Sequence, residues 1–191
     1  HSVRIRVTER EPIAQVNIPQ ALPNGGVGVA VYHLAADGHV MLPLDSRQRA
    51  IPVTQPSEIL PVVSGINAAE LQPGRTVAAP QVRAALSLLA AFEDSPMAEC
   101  VDLRRVDVSS ADVLVARTGQ GSEITFGLTD LQQQLRRWHA IYQLGLQNSN
   151  VIATLDLAIT NNIPVRWLEA SGAPVPAPKP AKPLRYKKKH V

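Results

Sequence analysis

The sequence has one cysteine, few aromatic residues and no long apolar run. A single cysteine, Cys100, excludes an internal disulfide and any zinc site built from several thiolates. Aromatic residues make up 4% of the chain, which argues against a platform that stacks unpaired nucleic-acid bases. Because no run of about 18 apolar residues occurs, no segment of this sequence is predicted to span a membrane.

The basic charge of the chain is local. The 191 residues carry 19 Lys and Arg against 16 Asp and Glu, but residues 171–191 hold 6 of the basic residues and no acid. Residues 1–170 therefore have 13 basic and 16 acidic residues, and this body lacks the excess basic charge typical of a nucleic-acid-binding domain.

Residues 171–191 alternate proline with alanine before ending in a lysine cluster. Proline removes backbone donors and favours extended conformations, so this composition predicts a disordered, semi-stiff tail. Two readings stay open for it. Either the tail is simply solvated, or residues 184–190 contact an anionic surface such as phospholipid headgroups, a wall polymer or nucleic acid.

Apolar residues alternate with polar ones in several segments, and this period of two predicts strands. Asp37-Gly38 predicts a tight hairpin turn, and the glycines at 119 and 121 predict another. Strands are expected at residues 2–10, 27–34, 39–44, 101–109, 113–116, 123–127, 152–159 and 163–167. An extended run is expected at residues 13–16, and a short apolar stretch follows at residues 59–63. Loops are expected at residues 19–28 and 45–58, where proline and polar residues gather.

Two segments change to a helical period, with apolar residues three or four apart. The first stripe consists of Val82, Leu86, Leu89 and Phe92. The second consists of Leu131, Leu135, Trp138 and Tyr142, and Thr129 with Gln132 has the spacing of a capping box. Two helices among seven or eight strands, mostly in hairpins, predict an α+β fold with an antiparallel or mixed sheet.

No catalytic constellation emerges from the sequence. His33 and His39 flank one hairpin but have no clear third metal ligand. Cys100 has no partner base, and Asp102 and Asp107 fall on opposite faces of a predicted strand. We therefore expect no enzyme activity and no cofactor, and the sequence favours a binding or scaffolding role.

Three segments resemble, in this order, the extracytoplasmic part of the bacterial cell-division family FtsQ, called DivIB in some lineages. Residues 3–14 are similar to a strand followed by Glu-Arg-x-Pro-Val/Ile-Ala, which leads from the POTRA domain into the β domain. Residues 34–41, followed by 59–66, resemble the family's Asp-x-x-Gly hairpin and its Leu-Pro-x-Leu-x-Gly element. Residues 155–165 resemble the hairpin that closes the β domain.

The resemblance implies a division of the chain into the end of a POTRA-like domain at 1–14, a β domain at 15–170 and the tail at 171–191. It implies a non-enzymatic divisome protein on the periplasmic side of the bacterial inner membrane, at the septum. A membrane anchor and most of POTRA would precede residue 1. The implied partners are FtsB-like and FtsL-like single-pass coiled-coil proteins and the septal wall-synthesis machinery.

In that family the last strands of the β domain offer an edge to which FtsB adds a strand. Here Pro164 lies in the final predicted strand, and proline is tolerated mainly at sheet edges or strand starts. The expected partner-binding residues are Ile159, Ile163, Val165 and Trp167. The alternative is that the tail or a loop of this chain caps the edge. The alternative function is an extracytoplasmic module that binds an anionic polymer or membrane surface through its basic tail.

Overall fold

The computed structural model describes residues 10–21, 25–42 and 60–168. These ranges form an α+β fold with one mixed sheet, as the sequence predicted. The strands are β1 (Pro12–Ala21), β2 (Val27–Ala35), β3 (Val40–Met41), β4 (Val62–Ser64), β5 (Leu103–Asp107), β6 (Val113–Thr118), β7 (Glu123–Gly127), β8 (Ile152–Asp156) and β9 (Val165–Trp167). The helices are α1 (Pro80–Glu93), α2 (Met97–Cys100) and α3 (Leu131–Gln147), and a single 3-10 turn spans Ala68–Glu70.

The strand order within the sheet is β3-β2-β1-β4-β5-β6-β7-β8-β9. Three pairs are parallel, namely β1 with β4, β4 with β5 and β7 with β8, and the others are antiparallel. The predicted hairpins β2–β3 and β6–β7 are confirmed, and Gly38 has the positive φ of 85° that the Asp-Gly turn requires.

Helices α1 and α3 pack together over one face of the sheet, which we call the helix face. Trp138 of α3 is 1% exposed and connects the layers. Its ring centroid lies 6.0 Å from that of Phe92 in α1 and 5.9 Å from that of Phe126 in β7. All four residues of the α1 stripe are buried, so the helical period identified the core-facing side of that helix.

The predicted loop at residues 19–28 was wrong at both ends, because β1 runs to Ala21 and β2 begins at Val27. Pro19 is tolerated inside β1 for a geometric reason. The N–H of Gln15 donates to Pro61 at 2.9 Å, so by alternation the backbone of Pro19 also faces the β4 side. β1 pairs with β4 only at Gln15, and the missing donor of Pro19 therefore breaks no ladder bond.

The predicted capping box of α3 was also wrong. Asp130 precedes the helix with a φ of 54° and caps it without a side-chain hydrogen bond. The amide of Gln134 instead accepts from the N–H of Gly127 at 2.9 Å and donates to the Thr129 carbonyl at 2.6 Å. This buried side chain ties the first turn of the helix to the end of β7.

Strand β8 ends at Asp156, three residues before the predicted end. The strand expected at residues 2–10 lies almost wholly outside the described residues, as do the loop at 45–58 and the tail. The division into domains stays a prediction, and β1 runs through the expected boundary at residue 14 without a break. None of the helices in the described ranges is long and apolar enough to cross a membrane.

Candidate functional site

The two edge strands of the sheet, β3 and β9, differ in whether another segment bonds to their outer side. At one end, the N–H of Val40 in β3 donates to Arg75 at 2.8 Å, and its carbonyl accepts from Gly74 at 2.9 Å. The loop that contains these two residues therefore covers the outer side of β3. At the other end, β9 pairs with β8, and no further segment of residues 10–21, 25–42 or 60–168 pairs with its outer side.

The hydrogen bonds to β8 show which backbone groups of β9 are already used. The N–H of Asp156 donates to the Pro164 carbonyl at 3.1 Å, and the N–H of Leu168 donates to Val151 at 2.8 Å. Arg166 lies between these two positions and is in register with β8. Residues 164, 166 and 168 thus direct their backbone groups toward β8.

Because backbone direction alternates along a strand, Val165 and Trp167 direct their N–H and C=O groups away from β8. An extended segment placed beside β9 would find up to four hydrogen-bonding groups there. Pro164 is an inward-facing position, so its missing N–H falls on the β8 side. Proline here leaves the donors of the outer edge intact, and it stands immediately before β9, which agrees with the expected place of a proline at a strand start.

The expected partner-binding residues occupy three different positions. Val165 and Trp167 lie on β9 and share the helix face, where Val165 is half-buried. Ile163 precedes the strand and packs partly against the core. Ile159 lies outside both strands, in the β8–β9 connection, with 44% of its surface exposed. Only two of the four residues therefore belong to the strand itself.

Trp167 packs over the end of α3. A Cβ built on Gly145 would lie 2.7 Å from Cζ3 of Trp167, so the indole occupies the space above this glycine. Gly145 is buried, whereas Trp167 keeps 36% of its surface exposed. The contact fixes β9 against the helix and leaves part of the indole available beside the open edge.

Exposed large apolar side chains concentrate around this end of the sheet. Of six in the described part of the chain, five belong to the end of α3, the β8–β9 connection or β9 and its continuation. They are Leu144, Leu146, Ile159, Trp167 and Leu168. The sequence analysis missed the three leucines, although Leu144 and Leu146 fall off the apolar stripe of α3, and that displacement was the available signal.

The histidines at the β2–β3 hairpin do not form a site together. Nδ1 of His39 lies 3.1 Å from the Asp37 carboxylate, whereas His33 lies in register with Met41 and burial lowers its pKa. Nε of Arg10 donates to Asp37 at 2.8 Å, and this bond is the main reason that the pKa of Asp37 falls to about 2. The described residues contain no group of three His, Cys, Asp or Glu side chains able to hold a metal ion.

Other polar groups serve local structure. Burial alone would raise the pKa of Asp107, but hydrogen bonds from Ser109 and Ser64 lower it below its ordinary value. The bond from Ser64 joins the ends of the parallel strands β4 and β5, and the bonds from Ser109 hold the residues that follow β5. Burial, together with nearby Glu99, raises the pKa of Cys100, whose thiol donates to the Pro96 carbonyl at 3.4 Å.

An open cleft of about 460 Å³ lies between α1 and α3. Asp94, Arg136 and His139 reach it from the two helices, and Leu135 contributes apolar surface. The cleft combines both charges with apolar surface and shows no preference for one class of ligand. The open edge of β9 is therefore the more specific feature, because its unpaired backbone groups define the kind of partner.

Comparison with models of known protein families and with curated protein sequences finds no match for this chain.

Proposed function

We propose that this chain is the extracytoplasmic part of an FtsQ-like divisome scaffold. In this proposal it has no enzyme activity and binds FtsB-like and FtsL-like single-pass proteins at the septum, on the periplasmic side of the inner membrane. Binding occurs by strand addition to β9 and helps to recruit and regulate septal wall synthesis. The observation that carries the proposal is the contrast between the covered edge at β3 and the edge at β9, with whose outer side no segment in the described part of the chain pairs.

Strand addition needs unpaired backbone groups and pockets for alternate side chains. The outward groups of Val165 and Trp167 meet the first requirement. The half-buried Val165 and the partly exposed indole of Trp167 offer apolar surface to alternate side chains of an added strand. An exposed strand edge is an aggregation hazard that proteins usually block, so an edge that residues 10–21, 25–42 and 60–168 leave unpaired favours a role in binding.

The test is affinity capture from solubilised membranes of the source organism with the full chain as bait. Val165→Pro removes one outward donor, whereas the control Val165→Thr keeps the backbone and the β-branched shape. We expect small single-pass coiled-coil proteins with the wild type and with Val165→Thr, and their loss with Val165→Pro.

Equal recovery of these proteins by Val165→Pro would contradict strand addition at β9. A chain without residues 171–191 separates the alternative function, binding of an anionic polymer through the tail. Capture that disappears with this deletion and weakens steeply as salt rises would move the function to the tail.

A further inference from the structure

Charged side chains form a row across the sheet face opposite the helices, which we call the open face. Cross-strand register aligns five residues of neighbouring strands in this row: Arg105, Arg117, Glu123, Thr154 and Arg166. Arg117 and Glu123 form an ion pair at 2.9 Å. Arg166 ends the row on β9, is exposed, and forms no ion pair with any residue of the described ranges.

We infer that the segment added to β9 carries an acidic side chain in register with Arg166. This inference rests on the proposed function and specifies the chemistry of the partner. In an antiparallel pair, residues that do not exchange hydrogen bonds with each other have the closer side chains. Arg166 bonds inward to β8, so the partner residue opposite it is of this close kind. A carboxylate there meets a cation that forms no ion pair within the described residues.

The positions on either side of that acid have a different environment. They lie opposite Val165 and Trp167, so their side chains point to the helix face. There they meet the half-buried Val165 and the partly exposed indole of Trp167, which packs over Gly145 at the end of α3. The added segment is therefore an extended stretch with apolar residues at alternate positions and an acid between two of them.

A second acid two residues further along, toward Pro164, is disfavoured. The position beside Pro164 continues the row that contains Asp156, since the Asp156 N–H bonds to the Pro164 carbonyl. Asp156 and Thr125 are in register on the open face. A neutral or basic residue suits this position, and the pair of positions fixes the register of the partner strand.

The same geometry disfavours a second copy of this chain in the register that uses both outward residues. Two β9 strands paired antiparallel with Val165 opposite Trp167 place the two Arg166 side chains directly opposite each other. Like charges in such a pair destabilise it, so the edge accepts an acidic strand more readily than its own copy.

The test uses the full chain and short fluorescein-labelled peptides in which valine alternates with threonine. The central residue is glutamate, glutamine or lysine, and fluorescence anisotropy gives the dissociation constants. Amide shifts at Val165 and Trp167 in NMR spectra show whether binding occurs at the edge. For the wild type we expect the glutamate peptide to bind about twofold to thirtyfold more tightly than the lysine peptide.

Two charge reversals provide the comparison. Arg166→Glu is expected to reverse the preference, so that the lysine peptide binds more tightly. Arg105→Glu is the matched control, because it removes an exposed cation from the same row at about 19 Å, four strand spacings away. It is expected to leave the preference unchanged, since charges this far apart are screened in physiological salt.

Three outcomes would overturn the inference, and they are distinguishable. If the peptides shift the amides of Val165 and Trp167 without a charge preference, only the partner chemistry is wrong. If Arg105→Glu changes the charge preference as much as Arg166→Glu, the preference arises from the overall charge of the sheet face and not from a pair between Arg166 and the acid opposite it. If no peptide shifts these amides, strand addition itself is wrong, and the proposed function fails with it.

Discussion

Replacing Gly145 by alanine tests how closely α3 and β9 are packed. The new Cβ would lie 2.7 Å from Cζ3 of Trp167 and 2.9 Å from the carbonyl oxygen of Asn150. Both distances are shorter than ordinary carbon contacts. The indole can tilt, but the carbonyl belongs to the backbone. Moving it disturbs the bond from the Asn150 N–H to the Gly145 carbonyl, which is 2.8 Å long.

The expected magnitude is the difference between two opposing effects. Alanine is favoured over glycine inside a helix by about 1 kcal/mol. Overpacking of a closed site costs about 1–3 kcal/mol, and a weakened hydrogen bond adds to that cost. We therefore expect Gly145→Ala to lower the free energy of unfolding by about 1–2 kcal/mol. A displaced Trp167 should also weaken partner binding at β9.

Urea denaturation followed by far-ultraviolet circular dichroism measures the first effect. The comparison is made again in a Trp167→Ala background, where the clash with the ring is absent and only the Asn150 contact remains. In that background the loss of unfolding free energy caused by Gly145→Ala should fall by more than half. If Gly145→Ala raises the free energy of unfolding by about 1 kcal/mol, helix propensity alone decides and the packing argument is refuted.

Two further perturbations probe other parts of the fold. Gly65→Ala should destabilise the protein by about 1–3 kcal/mol in the same assay, because Gly65 has a φ of 88° and its Cβ would lie 2.6 Å from the Ser109 nitrogen. Gly74→Ala is the control, since Gly74 also has a positive φ but open space around it, and an equal loss would refute the contact argument. The pKa of Asp37 is lowered to about 2 in the folded protein, so its contribution to stability is present above about pH 4 and is lost as the pH falls toward 2. NMR titration of Arg10→Gln should show a higher pKa for Asp37, and an unchanged value would rule out the hydrogen bond from Arg10 as the main cause.

The sequence predicted features that depend on local pattern. The stripe from Val82 to Phe92 identified α1 because an amphipathic helix has to bury one side. The Asp-Gly pair identified the β2–β3 turn because few residues adopt a positive φ without strain. These signals lie within a few residues of each other and need no tertiary context.

Features that depend on contacts between residues far apart in the sequence could not be predicted from residue spacing. Proline at 19 suggests a loop. A strand accepts it because β4 pairs with β1 only at Gln15 and needs no donor from residue 19. The start of α3 is held by Gln134 rather than by the predicted cap, because its amide reaches back to Gly127. At the candidate site, the period of two placed Val165 and Trp167 together. The contact of Trp167 with Gly145 joins residues 22 positions apart, and no spacing rule indicates it.

The order of strands has a consequence for biosynthesis. From β4 to β9, position in the sheet follows position in the chain, so each strand adds to the one made before it. Strand β9 comes last and has only three residues, and it depends on β8 and on the end of α3 for its place. The outer edge of β9 therefore forms only once β8 and the end of α3 are in place. A partner that binds this edge selects chains that have folded through to the last strand.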